Sequence, residues 1–185
     1  MALSFPFRRL GAPILAPLTL ALALGATTAA QASPSGCAHA TAAVARAPEA
    51  SVSEAVRCLV NAQRAAHHLS ALRATPALRR AADRHSRDMV VRRFFDHVSP
   101  GGATLTDRVR RAGYSGFTLG EDIGWGTDQL GTPAAMVDSW MRSPPHRAVI
   151  LQPRFHEIGV GVTRGTPQDS SAPGAVYVID LGRRS

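Results

Sequence analysis

Ile158-Gly159-Val160-Gly161-Val162-Thr163, followed after a loop by Ala175-Val176-Tyr177-Val178-Ile179-Asp180-Leu181, decides the fold class. In the first run branched aliphatics alternate with glycine or threonine; the second is nearly all apolar. Both have the length and composition of strands, and the Gly/Pro/Ser-rich loop between them predicts an antiparallel pair. The chain upstream reads differently. Ser51-Val52-Ser53-Glu54 has capping-box spacing, and Val52, Ala55, Val56, Leu59 and Val60 recur every three or four residues behind it. That pattern predicts a first helix running to about Leu69. Thr75-Pro76 opens a second, with a buried stripe of Leu78, Ala81, Ala82, His85 and Met89, ending near Phe94-Phe95. Thr104-Leu105-Thr106-Asp107 starts a short third helix that stops at Gly113. Thr132-Pro133 caps a fourth, Ala134 to Arg142, which Pro144-Pro145 terminates, leaving a turn through His146 to Leu151. The glycine-rich stretch from Tyr114 to Gly131 reads as loop and short strand. Helices first and antiparallel strands last predict an α+β domain rather than a parallel βαβ sheet.

The N-terminal end predicts the compartment. Arg8-Arg9 precedes an uncharged, Leu/Ala-dominated stretch from Leu10 to Ala30, and Ala30-Gln31-Ala32 has the small-x-small pattern of a signal peptidase site. The stretch approaches the roughly 18–20 residues that span a bilayer. Pro6, Pro13, Pro17, Gly11 and the Ala-x-Ala ending favour cleavage after Ala32 over a membrane anchor. Residues 1–32 are therefore read as a signal peptide, 33–50 as a flexible Ala/Pro/Ser-rich arm and 51–185 as one globular domain. A secreted monomer without a transmembrane span is the expected product. Cys37 and Cys58 are the only cysteines. An even count in an oxidising compartment reads as one disulfide pinning the arm to the first helix, a Cys/His nucleophile pair being the alternative. The chain carries a net charge of +8, and all 21 basic residues are arginine. Such charge draws a secreted protein toward anionic envelope polymers or lipids. The arginines form no nucleic-acid-binding motif, so nucleic acid is not an expected partner. The runs Arg92-Arg93, Arg110-Arg111 and Arg183-Arg184 read as solvated helix ends and tail.

Four segments carry the chemistry: Phe95-Asp96-His97, Gly120-Glu121-Asp122-Ile123, Trp140-Met141-Arg142-Ser143-Pro144-Pro145-His146-Arg147, and Phe155-His156-Glu157-Ile158-Gly159-Val160-Gly161. With Leu59-Val60-Asn61-Ala62-Gln63-Arg64 before them, their order and spacing resemble the bacterial SCP-like branch of the CAP superfamily (cysteine-rich secretory protein, antigen 5 and pathogenesis-related-1). The resemblance runs from about Leu59 to Gly182. It implies an α-β-α sandwich with a central antiparallel sheet and a cleft lined by two histidines and one or two glutamates. Carried over by motif, His97 and His146 are the histidines, Glu121 is the glutamate, and Asp122 and Trp140 belong to the cleft wall. Two neutral imidazoles and a carboxylate are a suitable ligand set for Zn²⁺ with an open fourth position. Without metal, a cationic histidine beside the glutamate makes a polar, pH-sensitive cleft.

Two departures bear on function. Asp122 replaces the family's usual asparagine, adding a potential negative charge beside Glu121. Ser143 stands where eukaryotic members carry a second glutamate, which removes a candidate acid or base. Glu157 reads as a structural pairing residue, His85 as core, and His39, His67, His68 and His156 as surface or packing residues. Trp125 and Trp140 read as core or cleft-wall aromatics. The leading functional expectation is a secreted binding protein for a lipid-like or cell-envelope ligand, with a divalent metal as a candidate cofactor. The rival is a metal-assisted hydrolase with Glu121 as candidate catalytic base, although that carboxylate cannot be ligand and base at once. A third reading is an extracellular scaffold with a vestigial cleft.

Overall fold

The computed structural model describes residues 36–184; the expected signal peptide lies outside the described residues. In chain order the elements are α1 (Glu49–Ala66), β1 (Arg73–Ala74), α2 (Pro76–Arg92), α3 (Leu105–Arg111), β2 (Thr118–Thr127), α4 (Pro133–Arg142), α5 (Pro144–Ile150), β3 (Glu157–Arg164) and β4 (Gly174–Arg183). β3 and β4 form the antiparallel pair that the sequence predicts, and β2 adds antiparallel to β4 on its other side. The two-residue β1 joins β3 in parallel, giving a mixed sheet of order β1-β3-β4-β2 rather than an antiparallel one throughout.

The alternation of β4 builds both cores. Ala175, Tyr177, Ile179 and Leu181 face the layer of α1, α4 and α5, where they pack with Val56, Val60 and Met136. Val176 and Val178 face the other way, against Ala82, Met89 and Val90 of α2. A strand buried on both sides is apolar throughout, which explains why this run lacks a polar phase. The result is the expected α-β-α sandwich. It needs close approach: a Cβ at Gly159 or Gly161 would collide with the backbone of α2, so the glycines alternating through β3 are where the helix rests on the sheet.

Several local expectations change. The capping box at Ser51 and Glu54 does not form; α1 starts three residues earlier, behind Pro48, the Ser53 hydroxyl donates to the Glu49 carbonyl at 2.9 Å, and Glu54 pairs with Arg57. α1 ends at Ala66, short of Leu69, because His68 turns to φ +57°. α2 stops at Arg92, since Arg93 takes the left-handed conformation at φ 56°. The Thr104–Asp107 box and the Thr132 cap do form. Pro144-Pro145 ends α4 but also opens α5, so the expected turn through His146 is a helix; proline at the first helical positions loses no hydrogen bond there. The largest change is β2, a ten-residue strand where loop and a short strand were expected. Its glycines are there for packing: a Cβ at Gly120 would strike Phe155, and one at Gly124 would strike Met136.

Cys37 and Cys58 are joined, with Cα atoms 5.8 Å apart. Closing a loop of that size stabilises a fold by roughly 3 kcal/mol in the chain-entropy picture. The arm is more than a tether, however. Ala40, Val44 and Ala47 are buried in the main core, and Arg164 donates to the carbonyls of Val44 and Ala47. Its described part is therefore packed, not the flexible segment held mainly by Cys37 that composition suggested.

Candidate functional site

β2 is an edge strand, and its two consecutive acids face opposite layers because side chains alternate across a strand. Glu121 points toward α2 and α3. Its Oε1 accepts from His97 Nδ1 at 2.8 Å, and its Oε2 accepts from Arg108 Nη2 at 2.5 Å. Arg108, on α3, also donates from Nη1 to the carbonyls of His97 (2.7 Å) and Ala103 (3.1 Å). One buried guanidinium thus fixes both the carboxylate and the loop that carries its histidine. Burial works against the Glu121 charge, but the His97 hydrogen bond and the Arg108 charge outweigh it and hold the carboxyl below its ordinary value. The same hydrogen bond raises His97 above the usual histidine range. Directly across the ladder from Glu121 sits Asp180, fully buried, whose carboxyl is raised well above normal by burial and then by the Glu121 charge.

Asp122 faces the α4–α5 layer. It is 1% exposed and its Oδ2 has no hydrogen-bond partner. Burial, with the Glu121 charge adding to it and His97 opposing it, pushes its carboxyl up to about 8. At neutral pH this side chain is therefore held mostly uncharged, and it does not supply the negative charge that its position beside Glu121 suggested.

His146, in the first turn of α5, has Nδ1 2.7 Å from Ser143 Oγ. The serine standing in place of a family glutamate thus fixes the imidazole. Burial, and then the His97 charge, lower His146. Trp140 is buried and donates from Nε1 to the carbonyl of Ile123 at 3.0 Å, tying α4 to the outer edge of β2. Along that edge runs a cleft of about 810 Å³ whose walls include His97, His146, Trp140, Ile123 and Trp125. Phe95, Trp125 and Leu130, which also line it, are 42, 40 and 73% exposed, an unusual amount of apolar surface to leave in water.

The model of the cysteine-rich secretory protein family matches residues 58–180. The chain belongs to this family. Two Bacillus subtilis proteins of uncharacterised function are similar to it. YkwD is 39% identical over 103 residues, covering 56% of this chain and 39% of the relative; the membrane protein YlbC is 33% identical over 106 residues, covering 57% and 30%. The chain therefore matches less than half the length of either. Among solved structures, an extracellular SCP-domain protein of Bacillus anthracis superposes with a TM-score of 0.62 at 26% identity, over 74% of this chain and 41% of that one. An outer surface protein of Borrelia burgdorferi reaches 0.61 at 18% identity, over 70% and 90% of the chains, a likeness of fold alone. Among the described residues no helix is long and apolar enough to cross a membrane.

Family resemblance put His97, His146 and Glu121 forward as a zinc triad. The residues do not fit that role as they stand. Both Glu121 oxygens are taken by His97 and Arg108, and the His97 nitrogen facing the carboxylate is taken as well. Among the described residues no group of three or more His, Cys, Asp or Glu side chains is placed to hold a metal ion. His97 and His146 do line one cleft; Glu121 lies behind His97, and Asp122 lies beneath the α4–α5 layer. Glu157 is a structural pair, as read: it accepts from Tyr114 Oη at 2.6 Å and lies near Arg73 and Arg184. His85 is core, its Nε2–H donating to the Asp96 carbonyl at 3.0 Å.

Arg108 and Asp180 have no place in the sequence reading of the site. Both left a signal. Leu105, Arg108, Val109 and Ala112 share one helical face, so Arg108 occupies a buried stripe where a guanidinium needs a carboxylate. Asp180 interrupts the apolar run of β4 and likewise requires a special environment.

Proposed function

We propose that this is a secreted binding protein, cleaved after Ala32, that takes one amphipathic molecule of envelope origin into the β2 cleft. Its apolar body lies on Phe95, Ile123, Trp125, Leu130 and Met136, and its polar head meets His97 and His146. The observation that carries this reading is the pairing of exposed apolar walls with two histidines in a cleft large enough for a small ligand. Binding is favoured over turnover because Glu121, the candidate base of the sequence reading, stands outside the lining of the cleft. Glu121 is spent on Arg108 and His97, and Ser143 is hydrogen-bonded to His146. A hydrolase needs a base within hydrogen-bond reach of the attacking group.

The test is titration of the oxidised protein with cis-parinaric acid, a fluorescent fatty acid. One-to-one saturable binding is expected. Trp125→Ala and Leu130→Glu, both at exposed positions, should each weaken it about tenfold, the equivalent of roughly 1.4 kcal/mol. No saturation, or saturation indifferent to both changes, overturns the proposal.

A further inference from the structure

A second cavity, of about 420 Å³, lies on the α2–α3 side of the molecule, behind the wall that carries Glu121. Arg84, Arg87, Arg108 and Arg111 line it, against one carboxylate, Asp88. That carboxylate is already paired with Arg92 at 3.4 Å. Among the described residues Arg84, Arg87 and Arg111 make no ion pair at all. Three exposed guanidinium groups gathered around one concavity make it positively charged, an arrangement that favours a bound anion.

The inner wall gives a second, independent observation. Arg108 is 6% exposed and His85 1% exposed; both line this cavity, and each has one buried ring or guanidinium nitrogen, Nε and Nδ1, without a hydrogen-bond partner. A buried polar atom left unpaired is destabilising, and natural structures rarely keep one without a reason. The two differ in kind. Arg108 Nε carries a proton and lacks an acceptor. His85 Nε2 donates to the Asp96 carbonyl, so in the neutral ring Nδ1 is a bare lone pair that lacks a donor.

We propose that this cavity binds a phosphate ester. A monoprotonated phosphate head presents several acceptor oxygens and one O–H, and Arg108 and His85 stand on the inner wall of the cavity. The phosphate oxygens suit the flat, forked donors of Arg84, Arg87 and Arg111. A carboxylate, with two oxygens, offers fewer acceptor sites to guanidinium groups converging from two helices. Val91 and Ala103, beside the arginines, give the ester's organic portion an apolar wall. The site is distinct from the β2 cleft, but Arg108 links the two: its side chain borders the rear cavity, while its Nη atoms hold Glu121 and the loop of His97, which lines the cleft.

The ester can belong to a soluble molecule or to a lipid head group. Two arms separate these sources, both with the full oxidised chain at pH 7 and low salt. In the first, inorganic phosphate and glycerol 3-phosphate are titrated calorimetrically. In the second, the protein is sedimented with vesicles of phosphatidylglycerol in phosphatidylcholine or of phosphatidylcholine alone. Each is run with the parent, with Arg84→Ala/Arg87→Ala/Arg111→Ala, and with Arg46→Ala/Arg147→Ala/Arg154→Ala. The last triple removes equal charge from surface positions outside both cavities. Saturable phosphate binding that falls about tenfold or more in the cavity triple, and less than about twofold in the control, establishes the site. Retention on anionic vesicles that the cavity triple alone abolishes then makes the head group the source; retention equal in both triples makes it the soluble ester. No saturation in the parent, or equal loss in both triples, overturns the proposal, the latter because non-specific charge attraction suffices. None of these outcomes depends on Trp125 or the β2 cleft, so the two readings fail separately.

Discussion

Replacing Arg108 by methionine tests the central electrostatic claim about the site. The change keeps the bulk of the side chain and removes three hydrogen bonds, to Glu121 Oε2 and to the carbonyls of His97 and Ala103. It strands a carboxylate whose side chain is 3% exposed, with His97 as its remaining partner. Losing one member of a buried pair costs about 3–5 kcal/mol, mostly the uncompensated charge. Against a total stability of roughly 5–15 kcal/mol, that is a large fraction. The cost is pH-dependent, and its sign is fixed. In the parent, Glu121 sits below its ordinary value, so its pairing contributes stability above the unfolded-state pKa and loses it as pH falls through the folded one. Without Arg108, burial, the largest influence on this carboxyl, pushes it upward instead. The deficit of Arg108→Met should be greatest near pH 7 and shrink toward pH 4 as Glu121 takes up a proton. Urea denaturation of the parent, Arg108→Met, Glu121→Gln and the double variant measures all of this. The double variant should recover at least about 1 kcal/mol of the single's loss at pH 7. A deficit under about 1 kcal/mol, or one that does not change with pH, would refute the account of Glu121 as a clamped anion.

Two further expectations rest on other residues. Asp122 keeps its proton in the folded state to about 8 but releases it near 4 when unfolded, so between those values the unfolded chain binds fewer protons and parental stability falls as pH rises. Asp122→Asn should flatten that decline and be the more stable protein at pH 8; unfolding curves of parent and variant that stay parallel from pH 4 to 8 would contradict it. Gly159→Ala places a methyl group against the backbone of Leu78 and Arg79, which cannot give way as a flexible side chain can. A loss of about 3 kcal/mol or more is expected, measurable by thermal unfolding, whereas a change under about 0.5 kcal/mol would mean that α2 does not rest on β3 there.

What could be read from the sequence follows from how many interactions each residue serves. The helices α2, α3 and α4 were legible because their caps and apolar spacing are local, and Thr104 with Asp107 forms the box that its spacing implies. β3 and β4 were legible because branched residues and glycine leave no other reading of two short runs. The full length of β2 was not legible because its glycines answer to residues outside the strand. Gly120 makes room for Phe155 and Gly124 for Met136, and no short window around β2 contains both. The same distinction divides the site. His97, His146, Glu121 and Trp140 came from short motifs, and three of the four line the cleft together. Their chemistry did not come with them, because it depends on Arg108 approaching from another helix and on Asp180 from another strand.

That partition bears on what the cleft can do. Two neighbouring acids on an exposed edge strand look like a pair built for catalysis or for a cation. The sandwich treats them in opposite ways. Glu121 stays charged because Arg108 and His97 neutralise it from one layer; Asp122 stays largely protonated because the other layer buries it without a cation. Neither is left as a free anion in the cleft. What faces solvent instead is the cationic side of the arrangement, His97 raised by its bond to Glu121, set among Phe95, Trp125 and Leu130. A surface of that kind attracts the polar end of an amphiphile and shelters its chain. For Glu121 to act as a base it would have to let go of Arg108. The buried clamp makes this costly, which favours the binding role proposed for the cleft.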